Sequence, residues 1–317
     1  MSQTSQAREL HVLEAARLYY EHHLNQSQIA AKLEISRPGV SRLLQEARDT
    51  GIVRIRIVDP RATGTRLEAN LKASFGLNHV IVVPFDGESG AVLKSRLGFA
   101  LIQLLDEFLA ENVTLGVSWG TTMQAATKHL TYRHIKDMTV VQLNGGVSKA
   151  ELDTHASEIA GKIGENYDAI PYLLPLPAIV DSPAVKTAIL SDRHIAKTLN
   201  LAREADVAAF TIGAFGENSV LVRADYFEPA EVQALIDQGA VADICSRLIR
   251  ADGSICSEEL NQRTIGIELD ELKAKPFSIA VAGGPEKALA IRAGLAGKYF
   301  NSLVTDEQVA KTLLGED

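Results

Sequence analysis

The chain has 317 residues, 46% hydrophobic and 23% charged, and a formal net charge of −8. That length is more than one compact core usually takes, so two domains of unequal size are expected, and the composition excludes a disordered or low-complexity chain. No apolar run reaches the roughly 18 residues of a membrane helix; the best, "FALIQLLDEFLA" over 99–110, is interrupted by Asp106 and Glu107. "MSQTSQAREL" lacks the apolar core of a signal peptide. The two cysteines, Cys245 and Cys256, have no metal-ligand spacing. The expectation is a cytoplasmic protein with reduced thiols and no bound metal.

Three helices open the chain. Over 7–22, Leu10, Leu13, Ala16 and Tyr20 recur at spacings of three and four, an apolar stripe that must pack somewhere. A second helix begins at "NQSQIAAKL", where Ile29, Ala30 and Leu33 face one way, and "EIS" ends it. Ser36 is an N-cap for a third, with Pro38 in the first turn, where a missing N–H is harmless. Val40, Leu43, Leu44 and Ala47 form its inward stripe, and Gly51 stops it. Glu34 falls at a turn position that favours Gly or Asn, with strain of about 1–2 kcal/mol if it turns left-handed.

Two short helices around a tight turn, the second capped by Ser, match helix-turn-helix spacing. Arg37, Gly39, Ser41, Arg42 and Gln45 face outward, with Ser36 and Pro38 at the helix start and Gln26 opening the supporting helix. Arg or Gln there can reach base edges, and Ser or a backbone N–H can hold phosphate. In "GIVRIRIVDP", Val53, Ile55 and Ile57 alternate with Arg54 and Arg56, the pattern of a basic wing strand. Residues 1–58 carry eight Lys/Arg against six Asp/Glu, whereas the remainder carries 24 against 34. A DNA-binding domain over 1–58 on an acidic body over 59–317 follows. The plainer alternative is a helical hairpin with a solvated arginine face.

From residue 79 short apolar runs alternate with helical patterns. The runs are "HVIVVPF", "VTLGVSW", "MTVVQLNGG", "DVAAFTIGAFG", "FSIAVAGG" and "NSLVTD"; the helical stretches lie near 90–111, 121–130, 151–166, 184–204, 228–248 and 285–298. This alternation predicts a mainly parallel, Rossmann-like α/β sheet covered on both faces, with ligands beyond the carboxyl ends of its strands. Unusual residues gather there, in "GVSWGTT", "QLNGG" and "AGGPEK".

The first of these spells G-x-S-x-G, a hydrolase nucleophile signature centred on Ser118. The last 123 residues contain no histidine, so the usual late triad member is missing. The competing reading is an anion site: Gly120, Thr121 and Thr122 lead into a helix whose first N–H groups are free. "GGPEK" repeats the arrangement with Lys287. There is no complete nucleotide-binding glycine motif, so no cofactor is expected. Asp243, ahead of an Asp252-Gly253 hairpin turn, has the chemistry to accept from sugar hydroxyls or to act as a structural cap; Arg223 could clamp a phosphate or be a solvated edge charge. Trp119 suits core filling as well as a sugar platform.

With "EAARLYYEHHLNQSQIAAKLEISRPGVSRLL", "VSWGTTM", "VVQLNGG", "YLLPLPAIVDSP", "DRHI", "DICSR" and "GKY", nearly the whole chain resembles the SorC family of bacterial sugar-responsive transcriptional regulators. The resemblance implies a body similar to sugar-phosphate isomerases that senses rather than catalyses. It implies a homo-oligomer, a tetramer, on double-stranded operator DNA, with a phosphosugar effector that relieves repression. By position Thr121 and Thr122, assisted by Lys287, would hold phosphate, and Asn144, Gly145 and Gly146 would line the sugar end, with Arg223 and Asp243 as further contacts. The branch of the family most similar to this chain has "QLKGG", whose Lys can form a Schiff base with an aldose phosphate. Asn144 stands at that position and cannot, so either the effector binds non-covalently or it is a different sugar phosphate or a polyol phosphate.

Overall fold

The computed structural model describes residues 3–22, 24–53, 63–87, 90–146 and 154–316. The chain divides into two compact units, Met1–Asp59 and Pro60–Asp317. Arg54 and Arg56, and with them the wing strand, lie outside the described residues.

In the first unit three helices, α1 (Gln3–Tyr20), α2 (Gln26–Lys32) and α3 (Arg37–Asp49), share one small core of Ala15, Leu18, Ile29, Val40 and Leu44. Asn25 opens α2 with a capping box, its Oδ1 accepting from the Ser27 and Gln28 amides. The α2–α3 turn is closed by the Ile35 N–H donating to Ala30 O at 3.0 Å, which puts Glu34 at φ 54°, as its position in the turn predicts. Ser36 Oγ then accepts from Gly39 N at 3.2 Å and starts α3. The stripe expected on α1 is displaced. Ala16 is buried and Tyr20 packs half-buried against the core, as expected, but Leu10 and Leu13 are 66% and 36% exposed, and Val12, Ala15 and Leu18 are buried in their place. Apolar residues surround much of α1, so periodicity alone does not choose the face. The small Ala15 and Ala16 do, because they let α3 approach closely.

Among its described residues the second unit has nine strands: β1 (His79–Val83), β2 (Thr114–Val117), β3 (Thr139–Gln142), β4 (Ile170–Tyr172), β5 (Val207–Ala214), β6 (Ala240–Ile244), β7 (Arg247–Arg250), β8 (Phe277–Val281) and β9 (Ser302–Asp306). Seven run in the order β1-β9-β8-β5-β2-β3-β4, every neighbouring pair parallel. The six predicted runs are six of these strands. Successive residues alternate between two cores: Val207, Ala209, Ile279 and Val304 face one, Ala208, Phe210, Ala280 and Leu303 the other. Burial on both faces explains why these strands read as unbroken apolar runs. No helix among the described residues is long and apolar enough to cross a membrane.

Two predicted helices were read too long. The stretch near 184–204 is two helices, Pro183–Leu190 and Arg193–Glu204, separated where Asp192 caps the His194 and Ile195 amides. The stretch near 228–248 is a helix, Pro229–Asp237, followed by the antiparallel β6–β7 hairpin, which continues β5. That hairpin turns at Cys245 and Ser246, with φ of 50° and 69°. Asp252-Gly253 makes the next turn, closed by an Ile249–Ile255 bridge.

Helices α4 (Thr63–Phe75), α5 (Gly90–Phe108) and α6 (Thr121–Thr127) come next after the first unit. Gly98 of α5 sits against α6 so closely that an added Cβ would lie 2.6 Å from Ala126 N. Since the contact is with backbone, relief requires α6 to move. Gly98→Ala should therefore destabilise the protein by about 1–3 kcal/mol in urea unfolding; an unchanged midpoint would show that α6 is free to shift.

Candidate functional site: a polar cleft where the strand order reverses

After β2 the chain proceeds outward to β3 and β4; after β5 it proceeds to β8 and β9 on the other side. The two adjoining strands therefore part company at their carboxyl ends, the usual place for a ligand crevice in an open α/β sheet. A cleft of about 420 Å³ lies there, lined by the loops after β2, β3, β5 and β8, by the β6–β7 hairpin and by Lys94 of α5.

The floor is a seam between β2 and β5. Thr211 N donates to Ser118 Oγ at 3.2 Å, and Thr211 Oγ1 to Trp119 O at 3.2 Å. Gly120 then adopts φ 139°, with Thr211 Oγ1 2.9 Å from where a Cβ would stand. That conformation turns the chain directly into α6, so Gly120, Thr121 and Thr122 all line the cleft. The Ser118 hydroxyl is engaged in this seam, donating to Trp119 O and accepting from Thr211 N. No histidine is among the described residues lining the cleft.

Charge is concentrated on a few side chains. Burial lowers the Lys287 ammonium below the usual lysine range, and Glu286 and Asp243 partly offset it. Asp243 is pushed up to about 7 by burial, against the opposing pull of the Ser246 N–H and Lys287. Cys245 also lines the cleft, but burial and the neighbouring Asp243 raise its thiol, so it is not a reactive thiolate. Asn144 Nδ2 donates to Ser246 Oγ at 2.9 Å.

Of the residues singled out from sequence, the cleft brings together Gly120, Thr121, Thr122, Asn144, Asp243 and Lys287. Three others are elsewhere. Gly145 and Gly146 are packing glycines: a Cβ on Gly145 would lie 2.5 Å from Pro177 O, and one on Gly146 2.5 Å from Ala156 Cβ. Gly145 O accepts from Trp119 Nε1 at 2.8 Å, which holds the indole as part of the wall. Arg223 ends the short helix Val220–Arg223 exposed and outside the lining, whereas Ser219 and Val220 of the same segment are inside it. Sequence reasoning did not single out Lys94, Thr211, Ser219 or Ser246. "TIGAFGENS" carried a usable signal, since it is another glycine-bearing strand end like the three that were noted. Lys94 and Ser246 had none, because one lies in a helix and the other in a turn read as helix.

On α3, Arg37, Pro38, Ser41 and Arg42 form an exposed face. Gln45 is exposed too, but its amide is held between Arg48 and Asp49 at 2.7 Å each. Gln26 is half-buried at the start of α2, and Ser36 is occupied as the cap.

This site and sheet define a class, the ligand-binding bodies of regulators: the profile of the sugar-binding domain family matches residues 60–315, and the chain belongs to that family. Among its relatives, the deoxyribonucleoside regulator of Bacillus subtilis is 40% identical over 307 residues, covering 96% of this chain and 97% of the relative. The sorbitol operon regulator of Klebsiella pneumoniae is 30% identical over 305 residues, covering 96% and 97%. The crystal structure of full-length SorC from Klebsiella pneumoniae superposes with a TM-score of 0.74 at 29% identity, over 96% of this chain and 97% of that one. Both relatives are named as regulators, and the matches cover 97% of each.

Because Asp243 titrates about 7 in the folded protein against an ordinary 3.8, folding becomes less favourable as pH rises from about 4 to 7, and the loss levels off above that. Below 3.8 the carboxyl is neutral in both states. Asp243→Asn removes the penalty, so its stability relative to the parent should climb across that window in urea titrations. A flat difference would mean that the carboxylate is well solvated.

Proposed function

We propose that the chain is a DNA-binding transcriptional regulator, a repressor of a carbohydrate or nucleoside catabolic operon, controlled by non-covalent binding of a phosphorylated sugar or polyol in the cleft. The observation that carries the reading is the meeting, in one cleft, of two lysines and the Gly120–Thr122 turn with the polar side chains Asn144 and Asp243. Lys94, Lys287 and the hydroxyls of Thr121 and Thr122 suit a phosphate; Asn144 and Asp243 suit hydroxyl groups. The relatives' names, which speak of sorbitol and deoxyribonucleosides, support a sugar or polyol as the ligand's carbon skeleton.

The exposed face of α3 suits the major groove, with Arg37 and Arg42 as its cations and Ser41 beside them. Gln26, Ser36, Pro38, Gln45 and the wing arginines Arg54 and Arg56 complete the proposed DNA contacts. The protein works as a cytoplasmic homo-oligomer, a tetramer, on repeated half-sites, and needs neither metal nor cofactor. In fluorescence anisotropy with its own upstream DNA, affinity should fall steeply with salt. Arg42→Ala should cost about 1–3 kcal/mol at one base position. Loss of sequence preference in the parent protein at moderate salt would sink the reading.

A second reading, a sugar-phosphate isomerase or hydrolase carrying a DNA-binding head, draws on Asp243 with its pKa of about 7 beside Lys287. A proton acceptor poised at that pH is what acid–base chemistry uses. Flat progress curves with pentose and hexose phosphates are expected; measurable turnover would favour the enzyme. Asn144 has no amine, and Lys287 acts as a phosphate ligand, so borohydride added with ribose 5-phosphate should leave the protein mass unchanged. A stable adduct would replace non-covalent sensing by a Schiff base.

A further inference from the structure

Two buried acceptors in the cleft have nothing to accept. Asn144 is 2% exposed, and its Oδ1, like Oδ1 of Asp243, is buried with no hydrogen-bond partner among the described residues. Both residues line the cleft. Ser246 touches each of them: its Oγ accepts from Asn144 Nδ2 at 2.9 Å, and its backbone N–H donates to the Asp243 carboxylate. It can do both because the Cys245–Ser246 turn is left-handed at both residues, φ 50° and 69°, which brings the Ser246 amide and hydroxyl to this corner.

An Asn side chain that spends its NH2 on a neighbouring hydroxyl presents its oxygen on the other side. A carboxylate held by a backbone N–H at one oxygen likewise presents the other. Two such acceptors attract O–H donors and repel a phosphate, which is left to Lys94 and Lys287. Buried acceptors without donors are rare in folded proteins, and a ligand hydroxyl would supply what is missing.

We propose that Ser246 is a positioning residue that sets Asn144 and Asp243 as a pair of acceptors, and that the pair selects a phosphorylated ligand bearing free hydroxyl groups over its deoxy counterpart. This rests on the phosphosugar reading of the cleft. A ligand lacking one hydroxyl leaves an acceptor buried and unmet, so the discrimination should be about tenfold or more.

The test is calorimetric titration of the full-length protein with ribose 5-phosphate, 2-deoxyribose 5-phosphate, ribitol 5-phosphate and inorganic phosphate. The parent protein should prefer the two fully hydroxylated compounds over the deoxy sugar by about tenfold or more. Ser246→Gly keeps the left-handed turn and removes the hydroxyl; Asn144→Leu removes the acceptor while filling the space. Both should shrink the ribose-to-deoxyribose ratio to about twofold and leave inorganic phosphate affinity within about twofold, since only the hydroxyl contacts are lost. A merely structural role would weaken phosphate along with the sugars. Equal binding of the two pentose phosphates by the parent protein, or a ratio that survives Ser246→Gly, overturns the proposal alone. Failure of all four compounds, and of glucitol 6-phosphate and glucose 6-phosphate beside them, to bind overturns the phosphosugar reading as well.

Discussion

Backbone pairing of β2 with β5, at Leu115–Val207, Gly116–Ala208 and Val117–Ala209, joins two strands whose following connections leave in opposite directions. Every feature of the cleft depends on that seam. With one chain going to β3 and the other to β8, neither crossover covers the strand ends, and the gap is a consequence of topology rather than of a missing side chain. The seam extends past the last ladder pair through Ser118 and Thr211, which use up the one hydroxyl that the G-x-S-x-G pattern offers for chemistry. What remains facing the gap is a glycine turn, two threonines, two lysines and a small set of acceptors, an inventory suited to holding a ligand.

Keeping such a cleft in shape requires support from below, and a buried cation provides part of it. Arg247, fully buried at the start of β7, donates to Ile267 O at 2.8 Å, Gly266 O at 3.1 Å and Glu268 Oε1 at 2.7 Å, and also to Asn261. Those bonds fix the segment that brackets Asn144: Gly145 N donates to Ile265 O at 3.0 Å, and Ile267 N to Leu143 O at 2.8 Å. A buried guanidinium is expensive to desolvate and is tolerated only because all its N–H directions are met. The result is that Asn144 and Ser246 are held by rigid neighbours before any ligand arrives, which reduces the ordering cost of binding.

How much of this was legible in the sequence differed from element to element, for physical reasons. Six of the seven parallel strands were plain because burial on both faces writes itself as an apolar run, whereas the largely exposed β4 left no such run; the α2–α3 turn was plain because capping by Asn25 and Ser36 and the left-handed Glu34 are local chemistry. The β6–β7 hairpin was hidden: its turn is Cys-Ser rather than Asn-Gly, and "VADICSRLI" has apolar spacing that suits a helix as well as a strand. Losing that hairpin concealed Ser246. Arg223 and Gly145 show the opposite failure. An arginine or glycine near a strand end is a reasonable ligand contact, but only tertiary packing decides whether it faces the gap, the core or solvent. The face of α1 could not be chosen because apolar residues surround so much of it.

The division of charge fits the same account, since the net negative balance lies after residue 58 and the small positive balance before it. An acidic body with two lysines sunk in a cleft can attract a small anion locally while staying away from nucleic acid. The central claim is that the cleft at the β2–β5 seam is the ligand site, and amide hydrogen exchange on the full-length protein tests it most directly. With whichever of ribose 5-phosphate, ribitol 5-phosphate or glucitol 6-phosphate raises the Tm most, protection should increase at residues 118–123, 211–220 and 243–247. Binding that instead protects other segments and leaves these unchanged would contradict the account.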